Sequence, residues 1–386
     1  MVDFEYYNPA RIVFGESSIK QIGSLIQEYG ATKLLMVYSG EFVKTLGIFD
    51  EVKSACEGLG VKFLENGDVT PNPSIELVRS LVAEGKKEGV DFVLAVGGGS
   101  AIDTAKAIAL GIPYEGDVWD FFEKGVSPEQ VLNVGVITTL PASGSETSNA
   151  AILSNGEWKL GFEDNRIIPK FAIMNPQYTL GLPAFQTAAG VADILSHLLE
   201  RYFSDVSHTD VTDYLIEGGV RALLVNGKRL AKKPDDIHAR AEIQWLASVA
   251  HNNFLDTGRI GDWGSHRIEH ELSGQYGITH GEGMAIVLPA WIRYMAKVKP
   301  WKIAQLGERV FGADHYNYSE EEIALEVADT LEQFFRSIGL RTRLKELSID
   351  ETHFEDMAAR ATRNGSVGHY VPIDKEVFIR ILKIAE

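Results

Sequence analysis

Short apolar runs that alternate with helical stretches dominate the first half of the chain and constrain its fold more than any other feature. Four such runs occupy residues 33–38, 61–64, 92–96 and 134–138. Segments of helical period separate them, among them 74–88 and 101–110. This alternation is typical of parallel strands that are covered by helices on both faces. The first half is therefore predicted to be a Rossmann-like α/β domain.

The two ends of this half carry further strand-like segments. From Phe4 to Phe14, apolar and polar residues alternate around an Asn8-Pro9 break, which predicts a β-hairpin or a pair of short strands. Residues 150–154 and 171–174 are predicted to close the domain as strands.

The character of the chain changes near Leu180. Beyond that point β-branched clusters give way to Ala, Leu and Glu in long runs of helical period. The predicted helices cover residues 186–203, 211–228, 235–255, 268–275, 283–296, 303–311, 320–338 and 374–385. We therefore expect a dinucleotide-binding α/β domain over residues 1–179 and an all-helical metal-binding and catalytic domain over 180–386.

Length, charge and cysteine content narrow the class of protein. A chain of 386 residues suggests two domains, and its net charge of −17 argues against nucleic acid and anionic membrane surfaces as partners. Cys56 is the only cysteine, which excludes an intrachain disulfide and a thiolate metal cluster. The acidic N-terminus is unlike a signal peptide, and no apolar window is long enough for a transmembrane helix. These features predict a cytoplasmic protein.

A glycine loop follows the third apolar run directly. Gly97, Gly98, Gly99 and Ser100 lie between a predicted strand and a predicted helix, where free backbone N–H groups and the helix dipole can hold a pyrophosphate. The alternative is a turn without a ligand, in which Ser100 caps the helix and Asp103 assists. The spacing differs from the G-x-G-x-x-G fingerprint, so the motif alone leaves both interpretations open.

A second polar loop ends the run at 134–138. Residues 138–146 are rich in hydroxyl groups and contain a glycine, and they would lie at the same sheet edge as the glycine loop. Small polar residues are common in any loop. Together, however, the two loops favour a bound dinucleotide.

Asp193 and His197 are four residues apart in a predicted helix that is apolar around most of its circumference. Such a pair lies on one helix face, where it can bind a metal or form a simple surface ion pair. His266 and His270 repeat the four-residue spacing, and His280 lies on a glycine-rich turn. One carboxylate and three imidazoles, from Asp193, His197, His266 and His280, suit Fe²⁺ or Zn²⁺ better than Ca²⁺ or Mg²⁺.

These motifs resemble the iron-dependent (group III) alcohol dehydrogenases, in particular their butanol dehydrogenase and broad-specificity aldehyde reductase branch. The resemblance is carried by the glycine loop with Asp103, by Asp193 and His197 with Glu200, and by His266, His270 and His280-Gly281. It implies an N-terminal Rossmann-like domain, an all-α C-terminal domain and an active site in the cleft between them. It also places Asp193, His197, His266 and His280 at the family's metal-ligand positions.

The resemblance further implies a set of cofactor contacts. Those predicted with the dinucleotide are Gly97, Gly98, Gly99, Ser100, Asp103, Thr138, Thr139, Ser143 and Ser145, with Lys159, Tyr178 and Leu182 at weaker positions. Lys159 could equally be a solvated charge, and Tyr178 and Leu182 could be hinge packing.

His270, one turn from His266, is the candidate proton relay. Its alternatives are a residue that orients a metal ligand and a simple core imidazole.

The end of the apolar run 33–38 bears on the choice of cofactor. An acidic residue there normally holds the ribose 2′-hydroxyl, but this chain has Ser39 and Gly40, followed by Glu41. Ser39 favours NADPH because it can donate to a 2′-phosphate, and Glu41 favours NADH. The sequence leans to NADPH without excluding NADH.

The resemblance implies a homodimeric, metal-dependent, NAD(P)H-linked enzyme that interconverts small primary alcohols and aldehydes. A glycerol- or polyol-type dehydrogenase or a dehydroquinate synthase-like enzyme of the same superfamily is the alternative. For a phosphorylated substrate only Arg259 and Arg267 lie near the histidine motifs, which is few for a phosphate pocket. A non-catalytic metal- or nucleotide-binding protein is a further alternative.

Overall fold

The computed structural model describes all residues of the chain, 1–386, as two compact units. One unit consists of Tyr7–Gly181. The other consists of Leu182–Glu386 together with the N-terminal segment Met1–Tyr6. The hydrogen bond from the Val2 amide to the Gly258 carbonyl, 3.0 Å long, ties this segment to the second unit.

The first unit is built on eight strands. They are β1 Arg11–Phe14, β2 Lys33–Tyr38, β3 Lys62–Asn66, β4 Phe92–Gly97, β5 Asn133–Thr138, β6 Ala150–Asn155, β7 Trp158–Glu163 and β8 Phe171–Met174. Six of them form a parallel sheet in the order β1-β8-β5-β4-β2-β3. β6 and β7 pair separately as an antiparallel ribbon.

The main sheet is covered on both faces because its strands are apolar on both faces. The helices of this unit are α1 Ile22–Glu28, α2 Phe42–Thr45, α3 Ile48–Leu59, α4 Ile75–Glu88, α5 Gly99–Gly111 and α6 Trp119–Lys124. Leu35 and Val37 of β2 pack with α4 and α5, and the alternate residues Leu34 and Met36 pack with α1 and α3. This arrangement confirms the predicted Rossmann-like fold class.

The order of the strands creates a switch point between β2 and β4. From β2 the chain moves outward to β3 and then returns to β4 on the other side of β2. Ligands of open α/β sheets bind beyond the carboxyl ends of the strands at such a point. Ser39 follows β2, and Gly97 ends β4, so both lie at this switch point.

The second unit is helical, as predicted. Its helices are α7 Ala184–Tyr202, α8 Asp210–Lys232, α9 Ile237–His251, α10 Gly264–Tyr276, α11 His280–Val298, α12 Trp301–Leu306, α13 Glu320–Ser337, α14 Phe354–Ala361 and α15 Lys375–Ala385. Every residue of α7 from Ala188 to Tyr202 is buried, which makes this helix the centre of the unit. None of the helices combines the length and apolarity that a membrane span requires.

Short helical turns complete the chain. A π-helical turn, Gly307–Phe311, follows α12 directly, and single 3₁₀ turns occur at Ser18–Gln21, Asn165–Ile167, Pro176–Thr179, Phe254–Asp256, Leu344–Leu347 and Glu351–His353.

Several local predictions were wrong. Residues Phe4 to Ala10 form no strand, and β1 pairs in parallel with β8 instead of forming a hairpin. The hairpin prediction failed because Asn8-Pro9 turns an irregular segment, in which the Asn8 side chain accepts from the Ala10 amide. The helix predicted to reach Leu255 ends at His251, where Asn253 adopts a left-handed conformation with φ of 65°. Strand β7 and helix α14 were not predicted.

Candidate functional site

The buried central helix α7 places three polar side chains on one face. Asp193, His197 and Glu200 are spaced by four and three residues, so they lie above one another on the helix. All three are almost fully buried. Burying polar groups in this way is costly unless they are partnered, and their partners come from α10 and α11.

Three of the four predicted metal ligands lie together. Donor atoms of Asp193, His266 and His280 are all within 4.8 Å of one another. His280 Nε2 is 3.5 Å from Asp193 Oδ1. The buried His266 Nε2 has no hydrogen-bond partner within the chain. A divalent cation would coordinate this nitrogen together with the neighbouring carboxylate and the second imidazole. These residues therefore fit a metal.

His197 lies at the edge of this group. Its Nε2 is 3.6 Å from Asp193 Oδ1, but the residue is not within 4.8 Å of all three other donors. Its ring stacks on His266, with centroids 4.9 Å apart, and its Nδ1 is buried without a hydrogen-bond partner. His251 lies against it, with a distance of 4.3 Å between the ring centroids. Together with His280, these residues make four histidine rings in one small region.

Two glutamates orient the imidazoles, and neither was assigned this role from the sequence. Glu200 Oε1 accepts from the His266 amide and lies 2.9 Å from His266 Nδ1. Glu269 Oε2 forms a hydrogen bond with His280 Nδ1. A carboxylate on one ring nitrogen fixes the tautomer that leaves the other nitrogen free for a metal. The signal was present, because Glu200 continues the helical spacing of Asp193 and His197, and Glu269 lies between His266 and His270.

A tight helix contact sets the position of His280. Gly281 opens α11 directly against the backbone of α7, and a Cβ there would collide with the Ala189 carbonyl. Two residues further on, Gly283 faces the Glu269 side chain of α10, and an ideal Cβ there would lie 2.7 Å from Glu269 Cγ. Because α11 can approach α7 only without a side chain at position 281, Gly281 brings His280 to Asp193, and Gly283 leaves room for Glu269.

Electrostatics favour a neutral imidazole at His197 and an ionised carboxylate at Glu200. Burial, together with the His251 and His266 rings, holds the pKa of His197 well below its ordinary value. Burial alone would raise the pKa of Glu200, but hydrogen bonds from His266 and Ser265 outweigh it and lower the pKa. Neutral imidazole and ionised carboxylate are the forms that bind and orient a metal.

A strained tryptophan lies beside the histidines. Trp263, the residue before α10, has φ of 63°, which is unusual for a bulky side chain. Its amide donates to Glu200 Oε2 over 2.6 Å, and the Arg201 guanidinium lies 4.7 Å from its ring centroid. Its ring is 5.2 Å from that of His266. The contacts with Glu200 and Arg201 hold a conformation that the backbone would otherwise avoid.

His270, the predicted proton relay, lies next to the cluster and is half-buried. Its ring centroid is 6.3 Å from that of His266 and 5.6 Å from that of His280. Donor atoms of Glu269, His270 and His280 also lie within 4.8 Å of one another. This position is compatible both with a relay and with a residue that supports the ligands.

In the first unit, the predicted phosphate loop forms a close-packed cradle. Gly97 has φ of 155°, and an ideal Cβ on it would lie 3.6 Å from Ser39 Oγ. An ideal Cβ on Gly99 would lie 2.6 Å from Ser143 Oγ. The Thr139 amide donates to the Gly97 carbonyl, and the buried Thr139 Oγ1 has no hydrogen-bond partner within the chain. A cradle that side chains would fill, with a lone buried hydroxyl beside it, fits a phosphate-containing cofactor.

The predicted capping role of Ser100 was wrong. The helix α5 begins at Gly99, its N-cap is Gly98, and no side chain caps it. The residue Asp103 accepts instead from Ser145 Oγ over 2.6 Å and from the Ile152 amide over 3.1 Å. Its carboxylate therefore joins the second polar loop to α5.

A buried lysine that the sequence did not single out completes this connection. Lys106 Nζ donates to Ser145 Oγ, to the Ser148 carbonyl and to the Ala150 carbonyl, over 2.9, 2.8 and 2.7 Å. Burial lowers its pKa to about 8, against the pull of the Asp103 carboxylate. Burial likewise raises the pKa of Asp103, which Lys106 opposes. Lys106 fixes the polar loop beneath the glycine loop.

The remaining predicted cofactor residues are dispersed. Thr138 pairs with Gly97 in the β4–β5 ladder and is fully buried, whereas Gly40 follows Ser39 with φ of 74°. Lys159 lies on β7, near enough to Asp103 to lower its pKa. Tyr178 belongs to the 3₁₀ turn Pro176–Thr179, and Leu182 is the first residue of the helical unit.

The chain combines a parallel α/β unit that carries a glycine cradle with a helical unit that carries a carboxylate–imidazole cluster. This combination defines a class of two-domain proteins. The family model for the iron-containing alcohol dehydrogenases matches residues 9–176, and the model for the C-terminal part of the Fe-containing alcohol dehydrogenase family matches residues 187–385. The chain belongs to the iron-containing alcohol dehydrogenase family.

Similar proteins cover the whole chain. An NADH-dependent butanol dehydrogenase A from Clostridium acetobutylicum is 39% identical over 99% of both chains. The NADPH-dependent aldehyde reductase YqhD of Escherichia coli is 32% identical over 100% of both. The crystal structure of an NADH-dependent butanol dehydrogenase A from Thermotoga maritima superimposes with a TM-score of 0.95 at 34% identity, covering 99% of this chain and 98% of that one.

Proposed function

We propose that the chain is a metal-dependent, NAD(P)H-linked oxidoreductase that interconverts small primary alcohols and aldehydes such as butanol and butanal. The observation that carries the proposal is the cluster of Asp193, His266 and His280, in which a buried imidazole nitrogen has no partner within the chain. The names of the similar butanol dehydrogenases and aldehyde reductase support the substrate class.

Asp193, His266 and His280 would hold the cation, and His197 would complete the set through its Nε2. The family description supports Fe²⁺ as the cation, and Zn²⁺ is the other ion that three nitrogens and one oxygen suit. The bound cation supplies Lewis acidity toward the alcohol or carbonyl oxygen. Glu200 and Glu269 hold the His266 and His280 rings in the tautomers that direct a nitrogen at the cation.

The glycine cradle would hold the cofactor's pyrophosphate. Backbone amides of Gly98, Gly99 and Ser100 lie at the N-terminus of α5, where the helix dipole favours a negative charge. Thr139 and Ser143 offer hydroxyls at the same place. Asp103, Ser145 and Lys106 position the loop that carries Ser143. The bound nicotinamide supplies or accepts the hydride.

His270 is our candidate for the group that holds and passes the substrate proton, since it is a half-buried imidazole beside His266 and His280. In the His270→Ala variant we expect kcat to fall by about 10²-fold or more and its pH profile to change, because the proton must then leave through water. Metal content should be unaffected. If both the rate and the pH profile stay as in the unmodified enzyme, the relay role is excluded.

The proposed function is tested by NADH and NADPH oxidation with butanal, before and after removal of the metal by a chelator. Turnover should disappear on chelation and return with Fe²⁺ or Zn²⁺, and the extent of recovery with each cation identifies the preferred metal. Glycerol and other polyols, assayed in the oxidative direction, test the polyol alternative. The absence of any metal-dependent turnover would contradict the proposal.

We also propose a homodimer and a cytoplasmic location. An exposed aromatic segment supports the dimer, since Phe4, Tyr6 and Tyr7 are 56%, 41% and 69% exposed. The single, buried Cys56 supports a reducing compartment. Light scattering on the purified protein should give twice the mass of the chain, and replacing Tyr7 by Ser should weaken the assembly.

A further inference from the structure

Three acidic residues gather where β2 and β3 end, at the switch point of the sheet. We call this region the ribose corner and define it as Ser39, Glu41, Glu65 and Asp68. Ser39 lies directly beside the glycine cradle, because its Oγ is 3.6 Å from an ideal Cβ on Gly97. In sheets of this kind the ribose nearest the pyrophosphate lies at the end of the second strand. The corner is therefore where the protein would bind a ribose 2′-hydroxyl or a 2′-phosphate and distinguish between them.

Asp68 supplies an acidic residue next to Ser39, where the position directly after β2 has none. Ser39 and Asp68 are partners in an isolated antiparallel bridge, and the Val69 amide donates to the Tyr38 carbonyl. The Asp68 carboxylate is held by the Asn66 side-chain amide over 3.1 Å, and the Asn66 oxygen accepts from the Asp68 amide. Asp68, two residues beyond the end of β3, is thus paired through its backbone with the serine that follows β2.

The charges at the corner are unfavourable for a phosphate. Tyr38 donates to Glu65 Oε2 over 2.6 Å, and Glu41 is exposed. The cation at the corner is Lys44, which pairs with Glu41 over 3.2 Å and lies 5.9 Å from the Tyr38 ring centroid. The chain has no arginine between Arg11 and Arg79, so the side chain best suited to binding a 2′-phosphate is absent from this stretch. The corner carries three carboxylates against one ammonium group.

We infer that the enzyme selects NADH over NADPH, and that Asp68 is the main specificity-determining residue. Its carboxylate accepts from the ribose 2′-hydroxyl of NADH and repels the 2′-phosphate of NADPH, with Glu41 adding to the repulsion. This inference rests on the proposed function and reverses the lean to NADPH that Ser39 alone suggested. The pairing of Asp68, which follows β3, with Ser39 could not be predicted from the sequence.

The test compares direct binding of the two nucleotides with their turnover. For the metal-loaded full-length enzyme, the Kd of NADH and NADPH is measured by nucleotide fluorescence, and ADP and 2′,5′-ADP are used as competitors to isolate the 2′-phosphate. We expect NADH to bind about 100-fold more tightly than NADPH, because like charges at one site cost several kcal/mol. The preference should diminish with added salt, because the residues are exposed.

Three variants assign the effect. Asp68→Asn should reduce the NADH preference about tenfold or more, mostly through tighter NADPH binding, and Glu41→Gln should reduce it by a smaller factor. Glu57→Gln on α3 removes an exposed carboxylate of the same unit away from the corner, and it should leave the ratio unchanged. Equal affinity of the enzyme for both nucleotides, or an unchanged ratio in Asp68→Asn, overturns the inference while leaving the proposed function intact. Failure to bind either nucleotide overturns the proposed function itself.

Discussion

Each unit of the molecule has a buried polar cluster at its proposed binding site, and these two clusters are completed in opposite ways. In the α/β unit, Lys106, Asp103 and Ser145 satisfy one another and the neighbouring backbone. In the helical unit, Glu200 holds His266 through Nδ1, but the buried His266 Nε2 has no hydrogen-bond partner within the chain. The first cluster is a complete internal network that positions a loop, whereas the second presents a buried imidazole nitrogen that a bound cation would satisfy.

The comparison separates two uses of buried polarity. A satisfied network stabilises and positions, so its loss should appear mainly as lost stability. A pre-oriented set of metal ligands, as we propose for the helical unit, depends on a bound ion, so its loss should appear mainly as lost metal and activity. The following four predictions test this division.

The largest effect is expected for His266→Ala. Removal of this imidazole should lower kcat/KM for butanal reduction by about 1,000-fold, since Lewis-acid stabilisation is worth several kcal/mol. Metal content, measured by elemental analysis, should fall with it. His238→Ala, an exposed histidine of α9, is the matched control and should keep both. Full metal content in His266→Ala would contradict the ligand assignment.

Next in size is Lys106→Met, which removes three buried hydrogen bonds and leaves two carbonyls without a donor. We expect the free energy of unfolding to drop by about 3 kcal/mol at neutral pH. The measurement is thermal or denaturant unfolding followed in parallel with the KM for the nucleotide, which should rise. Metal content should not change. Lys87→Met, at an exposed position of α4, controls for the loss of charge. A stable variant would show that the network is not a structural connection.

Glu200→Gln should mainly weaken metal binding at the proposed site, whereas Lys106→Met should mainly lower stability. The carboxylate accepts on both oxygens, from His266 and Ser265 on Oε1 and from the Trp263 amide on Oε2. Gln offers one uncharged acceptor and places an NH₂ donor against an N–H group at the other position, so the imidazole is held less firmly. Metal affinity, measured by competition with a chelator, should weaken about 10- to 100-fold. The exposed Glu326→Gln on α13 is the control. Unaltered affinity would mean that Glu200 serves packing alone.

The smallest effect concerns pH. The pKa of Lys106 is about 8 in the folded chain and 10.5 when solvated, so between these values the unfolded chain binds more protons and stability rises with pH. The gap in unfolding free energy between the unmodified enzyme and Lys106→Met should therefore widen by about 1 kcal/mol from about pH 7.5 to about pH 9. A constant gap would indicate that Lys106 keeps its proton throughout.

The sequence predicts those features that local patterns encode. The apolar runs that became β2, β4 and β5 were found because each is covered on both faces, and Asp193, His266 and His280 were found because their spacing or setting is unusual. The irregular segment before Arg11 was mistaken for a hairpin, since alternation alone does not provide a pairing partner. β1 found its partner in β8, about 160 residues later.

What the sequence left out depends on contacts between distant residues. In the sequence, Lys106 is an ordinary helical lysine, and its role depends on the Ser148 and Ala150 carbonyls that it contacts in the fold. Asp68 is an ordinary turn residue in the sequence, and its role depends on its pairing with Ser39. His251 likewise has no informative spacing, yet its ring lies on that of His197. In each case a side chain's role is set by tertiary neighbours and not by its own segment.

The contact at Gly281 has a practical consequence for altering substrate range by mutagenesis. Randomised libraries commonly include every position next to a histidine ligand. Any larger residue at 281 would push the start of α11 off the Ala189 backbone and carry His280 away from Asp193. Position 281 should therefore remain fixed in such libraries, with diversity placed at positions such as Trp263 and His251, whose side chains border the histidines without setting the distance between helices.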